Sequence, residues 1–236
     1  MFELSDKGRG VRKMFDTIAP RYDLLNRLLS FGIDRRWRRR AVSYLRVPEQ
    51  GRVLDIATGT CDVALEIARQ THESVQIVGE DFTQGMLVHG RRKLDQSSAG
   101  SRIVLVNAPC EAIPHPSDSF DAITIAFGIR NVVDRAEGLR EMVRVLKPGG
   151  RAVVLEFSNP RSRFFRNLYY FYFRRLLPAI GGLFSQRSAY QYLPDSVLEF
   201  PAQEDFCAMM KEAGFAQVEY ADLTFGIATV YVGDCR

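Results

Sequence analysis

The chain has 236 residues, 46% hydrophobic and 25% charged, which suits one folded domain with a sizeable core. Four scattered cysteines (Cys61, Cys110, Cys207, Cys235) and three histidines argue against a disulfide framework and against a zinc or histidine-rich metal centre. The net charge of +4 is modest, the first residues lack the apolar core of a signal peptide, and no apolar run reaches the about 20 residues that span a bilayer, so a cytoplasmic protein is expected.

Residues 11–46 are expected to be helical, with turns near Pro20 and Gly32, and a proline–glycine break follows at 48–51. From there the pattern alternates. Strands are predicted at 52–57, 75–79, 102–107, 122–127 and 151–157. Helices are predicted at 62–70, 84–94 and 136–146, the last stopped by Lys147-Pro148-Gly149-Gly150. Residues 161–187 form a basic, aromatic helical insertion, and a helix at 203–213 ends on Gly214. Strands at 217–222 and 227–233 are too close for a crossover helix and must be antiparallel. The expected fold class is α/β: a Rossmann-like, mostly parallel sheet closed by a C-terminal antiparallel hairpin. We read 1–236 as one domain, with 1–47 as an N-terminal helical lid and 161–200 as a helical insertion facing substrate or membrane.

The strongest chemical signal is Val53-Leu54-Asp55-Ile56-Ala57-Thr58-Gly59-Thr60-Cys61-Asp62, an apolar strand running through a glycine turn into a helix. Ligands of open α/β sheets bind at such turns. Gly59 lets backbone approach a ligand, Asp55 and Asp62 can meet the cationic amino group of an amino-acid cofactor, and the helix N-terminus can take its carboxylate. The stretch fits neither the dinucleotide nor the P-loop pattern. The next strand ends in Glu80-Asp81-Phe82; an acid there bonds ribose hydroxyls, with Asp81 preferred, Glu80 in reserve, and an N-cap role compatible with both. The ends of the third and fourth strands, at Asn107 to Glu111 and Ala126-Phe127-Gly128, are expected to flank adenine.

These segments, with Met14-Phe15-Asp16, Ile18-Ala19-Pro20-Arg21-Tyr22-Asp23, Phe120 to Val132, Leu155-Glu156-Phe157-Ser158 and Tyr190 to Ser196, resemble the menaquinone/ubiquinone biosynthesis C-methyltransferases from about residue 10 to 233. The resemblance implies the methyltransferase variant of the Rossmann-like fold, S-adenosyl-L-methionine as cofactor, and C-methylation of a prenylated quinol ring. Demethylmenaquinol is the preferred substrate and the ubiquinone-pathway ring the second. It carries cofactor positions onto Thr60 in the turn, Asp81, the pair Pro109-Cys110, and Ala126; Thr58 and Gly59 of the same turn and Phe82 after Asp81 are cofactor-binding candidates beside them. The register through Glu111 sets that pair, where the family carries Asn or Asp and then Ala; Cys61 stands for the family's second turn glycine, and His115 for a Phe.

A quinol is a phenol, so its reaction needs a base or a cation that holds a phenolate. Arg130 is the first catalytic candidate, as a cation rather than a base; Asn131 is expected on the ring oxygens, and Tyr22 and Asp23, on the lid, are the next catalytic candidates. The arginines and aromatics of 161–187, with Arg35, Arg36, Arg38, Arg39 and Arg40 around Trp37, suit transient contact with an anionic membrane, and they suit a core helix with a solvated face as well. RNA methylation is a rival reading of the same basic patches, although no nucleic-acid partner is expected. A cofactor-free scaffold in a quinone-biosynthesis complex rests on Cys61 and Pro109 alone, and a homodimer stays open.

Overall fold

The computed structural model describes residues 5–160 and 187–236. Three helices, α1 (Asp6–Ile18), α2 (Tyr22–Leu29) and α3 (Asp34–Val42), precede the sheet, with a 3-10 turn at Ala19–Arg21. Then come β1 (Arg52–Ile56), α4 (Asp62–Gln70), β2 (Gln76–Glu80), α5 (Gln84–Asp95), β3 (Ile103–Val106), β4 (Phe120–Ala126), α6 (Arg135–Val145) and β5 (Leu146–Phe157). The chain closes with α7 (Arg187–Leu198), α8 (Gln203–Ala213), β6 (Gln217–Leu223) and β7 (Ala228–Asp234).

The seven strands form one sheet in the order β3-β2-β1-β4-β5-β7-β6. The first five run parallel, and β7 is antiparallel to both β5 and β6, as the short spacing demands. This is the Rossmann-like methyltransferase arrangement expected above. β1 and β4 are buried on both faces, which is why their sequences are nearly continuous apolar runs. On one face Leu54, Ile56, Ile123 and Ile125 pack against Leu139 and Met142 of α6 and Phe206 and Met210 of α8. On the other, Val53, Ile77 and Ala122 meet Ala64 and Ile67 of α4 and Leu94 of α5. Trp37 and Ala41 of α3 lie over Val153, Leu155, Val230 and Val232, and the Trp37 indole donates to Thr224 Oγ1 at 2.8 Å.

Three boundaries depart from expectation, the first being the end of α3 at Val42 instead of 46. The first helix starts at Asp6 instead of 11, because the Ser5 hydroxyl accepts from the Gly8 amide and caps it. The fifth strand begins at Leu146 instead of 151. Leu146 already pairs with Phe120, the register then shifts, and pairing resumes at Ala122 with Arg151. Lys147 to Gly150 is thus a bulge inside a strand, made by Gly149 at φ +75° and fastened by the Lys147 ammonium on Asp121 at 2.9 Å. The stretch 161–186, most of the basic aromatic insertion, lies outside the described residues; Arg187 opens α7. Among the described residues no helix is long and apolar enough to cross a membrane.

Candidate functional site

β1 and β4 are neighbours whose following connections diverge, β1 toward β2 and β4 toward β5. At such a switch point the strand ends open a crevice. The backbone there is forced into left-handed conformations: Ala57 (φ +51°), Gly59 (+56°) and Cys61 (+68°) after β1, and Phe127 (+56°) after β4. Such angles cost about 1–2 kcal/mol each outside glycine, and they cluster where a fold is shaped for function. The two turns touch: a Cβ on Gly128 would stand 2.5 Å from the Ala57 Cβ.

The cleft between these turns holds ≈ 440 Å³, its open mouth included. Ile56 and Ala57 form its floor, Asp81 and Phe82 one wall, Ala108 to Glu111 the next, and Gly128 with Asn131, Val132 and Val133 the last. Gly8 of α1 reaches its rim, so the N-terminal helices roof it. The Tyr22 ring lies about 4.0 Å from where a Cβ on Gly59 would be, over the glycine turn. Asp16 of α1 accepts the Gly85 amide at the start of α5 at 2.9 Å.

Asp81 anchors the cleft. Its carboxylate accepts the Gly59 amide at 2.9 Å and the Thr83 amide at 2.8 Å, joining the glycine turn to the start of α5. Burial lifts its pKa to about 6, against the pull of these two amides. Asp81 thus stands on the cleft wall just ahead of α5, whose N-cap is Thr83 and carries no side-chain cap hydrogen bond. Glu80, its reserve, is fully buried on the opposite face of β2 and is not part of the wall.

Other candidates are spoken for by the protein itself. Asp55 is buried beneath the turn, accepting the Thr58 hydroxyl and the Thr124 hydroxyl at 2.6 Å each. Burial raises its pKa to about 6. Asp62 meets Lys93 at 2.6 Å and Arg38 at 2.8 Å, and Arg38 is also held by Asp34. Burial alone would raise the Asp62 pKa, but the two cations outweigh it and hold it below the usual value. Neither carboxylate is among the residues that line the cleft, and each is engaged by the protein's own groups. Thr60 donates to Asp23 of α2 at 2.5 Å and accepts from Lys93, which bonds Asp23 at 2.6 Å. The lid helices are thus bolted to the turn by charge. Ala126 packs beside Trp37 and Val42 rather than on the cleft wall.

Arg130 is likewise held by the protein's own groups. Its guanidinium is buried, with Nη1 donating to Glu156 Oε1 at 2.7 Å and to the Phe127 carbonyl at 2.6 Å. Glu156 also accepts the Arg130 amide, at 3.3 Å. The pair fixes the turn that carries Asn131 into the cleft. Asn131 Oδ1 accepts the Tyr192 hydroxyl of α7 at 2.8 Å. Burial raises the Tyr192 pKa above the usual tyrosine value, so the hydroxyl stays a donor at neutral pH. Sequence reasoning assigned no role to Tyr192, Glu156 or Lys93. The resemblance had covered the segments of the first two, but only three-dimensional contact separates a partner from a neighbour.

On the third wall Ala108, Pro109 and Cys110 line the cleft, while Asn107 is exposed and its amide donates to the Asp81 carbonyl at 2.7 Å.

A profile of the ubiE/COQ5 methyltransferase family matches residues 2–234. The chain is 65% identical over 234 residues to a ubiquinone/menaquinone biosynthesis C-methyltransferase UbiE of Geobacter sulfurreducens, covering 99% of this chain and 91% of that one. It is 51% identical over 222 residues to a demethylmenaquinone methyltransferase of Thermus thermophilus, covering 94% and 99%. Among solved structures it resembles the cyclase SpnF (TM-score 0.73, 16% identity, 97% and 96% covered) and a SAM-dependent methyltransferase of Thermotoga maritima (TM-score 0.65, 19% identity, 95% and 99% covered). Those last likenesses speak for the fold alone, whereas the match along nearly the whole chain and the high identities make this protein a member of the ubiE/COQ5 methyltransferase family.

Proposed function

We propose that the protein transfers a methyl group from S-adenosyl-L-methionine to a ring carbon of a prenylated quinol, with demethylmenaquinol preferred over the ubiquinone-pathway ring. The names of its relatives support the reaction class. The observation that carries it here is the Asp81 clamp on the wall of the switch-point cleft. Each Asp81 oxygen has one amide partner and a second lone pair free to accept a ribose hydroxyl. Phe82 and Val132 supply the apolar surfaces a purine ring needs.

When bound, the cofactor supplies a methyl group on a positively charged sulfur, with a neutral thioether as leaving group. The chain has to bring an activated ring carbon into line with that methyl and keep water out. Loss of the phenolic proton makes the ring carbon nucleophilic. Its electron pair forms the new carbon–carbon bond, and the ring carbon then releases its own proton to restore aromaticity. Asn131 is the polar group on the substrate side of the cleft, with its Oδ1 engaged by Tyr192 and its amide NH₂ 3.5 Å from the Phe127 carbonyl. Arg130 acts as a positioning residue, through the turn it shares with Glu156. Tyr22 and the roof helices exclude water from the turn.

We place the substrate at a membrane surface, since a prenylated quinol partitions into lipid. The exposed Arg35, Arg36, Arg39 and Arg40 of α3 suit an anionic one. Calorimetric titration with S-adenosyl-L-methionine, with Asp81→Ala as control, comes first; transfer of a labelled methyl to reduced demethylmenaquinone follows. Binding that vanishes in the variant and methylation by the wild type are expected. A wild type that binds no cofactor would overturn the reading.

A further inference from the structure

The wall of the cleft formed by Pro109 and Cys110 offers no polar side chain at position 109. Pro109 has neither a side-chain acceptor nor a backbone N–H, and the Cys110 thiol is turned away, against Gly138 of α6: a Cβ there would come within 2.9 Å of its sulfur. What remains on that wall is the Cys110 amide, which donates to no group among the described residues, and the side chain of Glu111.

Glu111 is held in an unusual way. Its Oε1 accepts the Val133 amide at 2.9 Å and the Asp134 amide at 3.4 Å, across the cleft's edge from the wall it belongs to. Its Oε2 has no hydrogen bond among the described residues. A carboxylate fixed by one oxygen at the edge of the cleft presents the other as a placed acceptor. The six-position of adenine carries an amino donor beside a ring acceptor. The two groups left on this wall, a free carboxylate oxygen and a free amide N–H one residue apart, are the complement of that edge.

We propose that Glu111 reads the adenine amino group of the cofactor, taking the part that a side chain at position 109 cannot play here. The inference rests on the cofactor reading above. It makes Glu111 a specificity-determining residue: a carboxylate accepts from an amino group and repels the carbonyl oxygen that inosine carries at the same place. Losing a hydrogen bond to a charged group is worth about ten- to a hundredfold in affinity.

The test is a binding titration, without turnover, of S-adenosylhomocysteine against S-inosylhomocysteine. The wild type should prefer the adenosyl compound by at least about tenfold. Glu111→Gln keeps an oxygen for the Val133 and Asp134 amides and offers an NH₂ to the inosine carbonyl, so the preference should collapse or reverse. A thermal melt of the variant verifies that the loop clamp is intact. If Glu111→Gln discriminates as the wild type does, Glu111 is a clamp only and the proposal falls. The N6,N6-dimethyl analogue of S-adenosylhomocysteine tests the same point on the wild type alone, because it has no proton to donate; binding as tight as that of the parent overturns the proposal. A wild type that binds none of the three compounds overturns the cofactor reading itself, a distinct result.

Discussion

Glu80 gives the sharpest test of the energetics. It is fully buried on β2 between Ile56 and Val106, and neither carboxyl oxygen has a hydrogen-bond partner among the described residues. Burial first, and then the negative charges of Asp81 and Glu141, push its pKa from 4.5 to about 8. The unfolded chain releases this proton near 4.5, whereas the folded chain keeps it until about pH 8. The contribution to stability is therefore fully present below the lower value and declines as pH rises through the window, at about 1.4 kcal/mol per pH unit. Between pH 5 and pH 7.5 that amounts to about 3 kcal/mol. Glu80→Gln removes the proton and little else. Urea unfolding at a series of pH values should show the variant gaining on the wild type by about 1.4 kcal/mol per unit across that range, then levelling above pH 8. Asp55 also has a raised value, but it is common to both proteins and cancels in the difference. Glu80→Met should be the more stable at every pH, since an unpartnered buried polar group is replaced by an apolar one of similar length. Parallel curves for wild type and Glu80→Gln would refute the reasoning, because they would mean that Glu80 ionises alike in both states.

Three further outcomes follow from the contacts. Arg130→Ala strands the buried Glu156 charge and should cost about 3–5 kcal/mol, a fall in Tm on the order of 10 °C; adding Glu156→Gln should recover part of it, and simple additivity of the two losses would sink the ion-pair account. Gly90→Ala places a Cβ 2.5 Å from the Cys61 sulfur and should cost about 1–3 kcal/mol, relieved by Cys61→Gly in the same chain; a double variant as unstable as the sum of the two would show that the two sites do not press on each other. Lys93→Gln removes the cation shared by Asp23 and Asp62 and should speed tryptic cleavage at Arg21 and Arg27, while an unchanged cleavage rate would show that the roof helices are held by their apolar contacts alone.

How much of this was legible in the sequence depends on the kind of residue. The alternation of strands and helices, the glycine turn and the acid ending β2 follow from local patterns, and each lies where the pattern placed it. Asp55, Asp62 and Arg130 are different. A carboxylate at a glycine turn looks available to a ligand until its own cations are counted, and Arg38 and Lys93 come from helices that the local pattern does not tie to Asp62. Arg130 follows a strand end where a substrate would lie, but its partner Glu156 sits on the neighbouring strand, so the charge is neutralised inside the fold. The early start of β5 was hidden because Pro148 and two glycines read as a stop, whereas a bulge tolerates all three.

Cys61, one of the two departures that spoke for a cofactor-free scaffold, has an explanation in packing that it shares with Cys110. Cys61 occupies a left-handed position that a glycine would hold without strain, yet its side chain is fully buried and points to α5, where Gly90 leaves room for the sulfur. Burial lifts its thiol pKa to about 12, so it stays a neutral, small apolar group. Cys110 repeats the arrangement on the other face of the sheet, with its sulfur over Gly138 of α6. In each case the sulfur is matched by a glycine on the helix behind it. Residues drifting after loss of a ligand would have no reason to be matched in this way. Paired size complementarity is what a site retains when its walls are still required to hold their shape, and it weighs toward a working cleft over a relic.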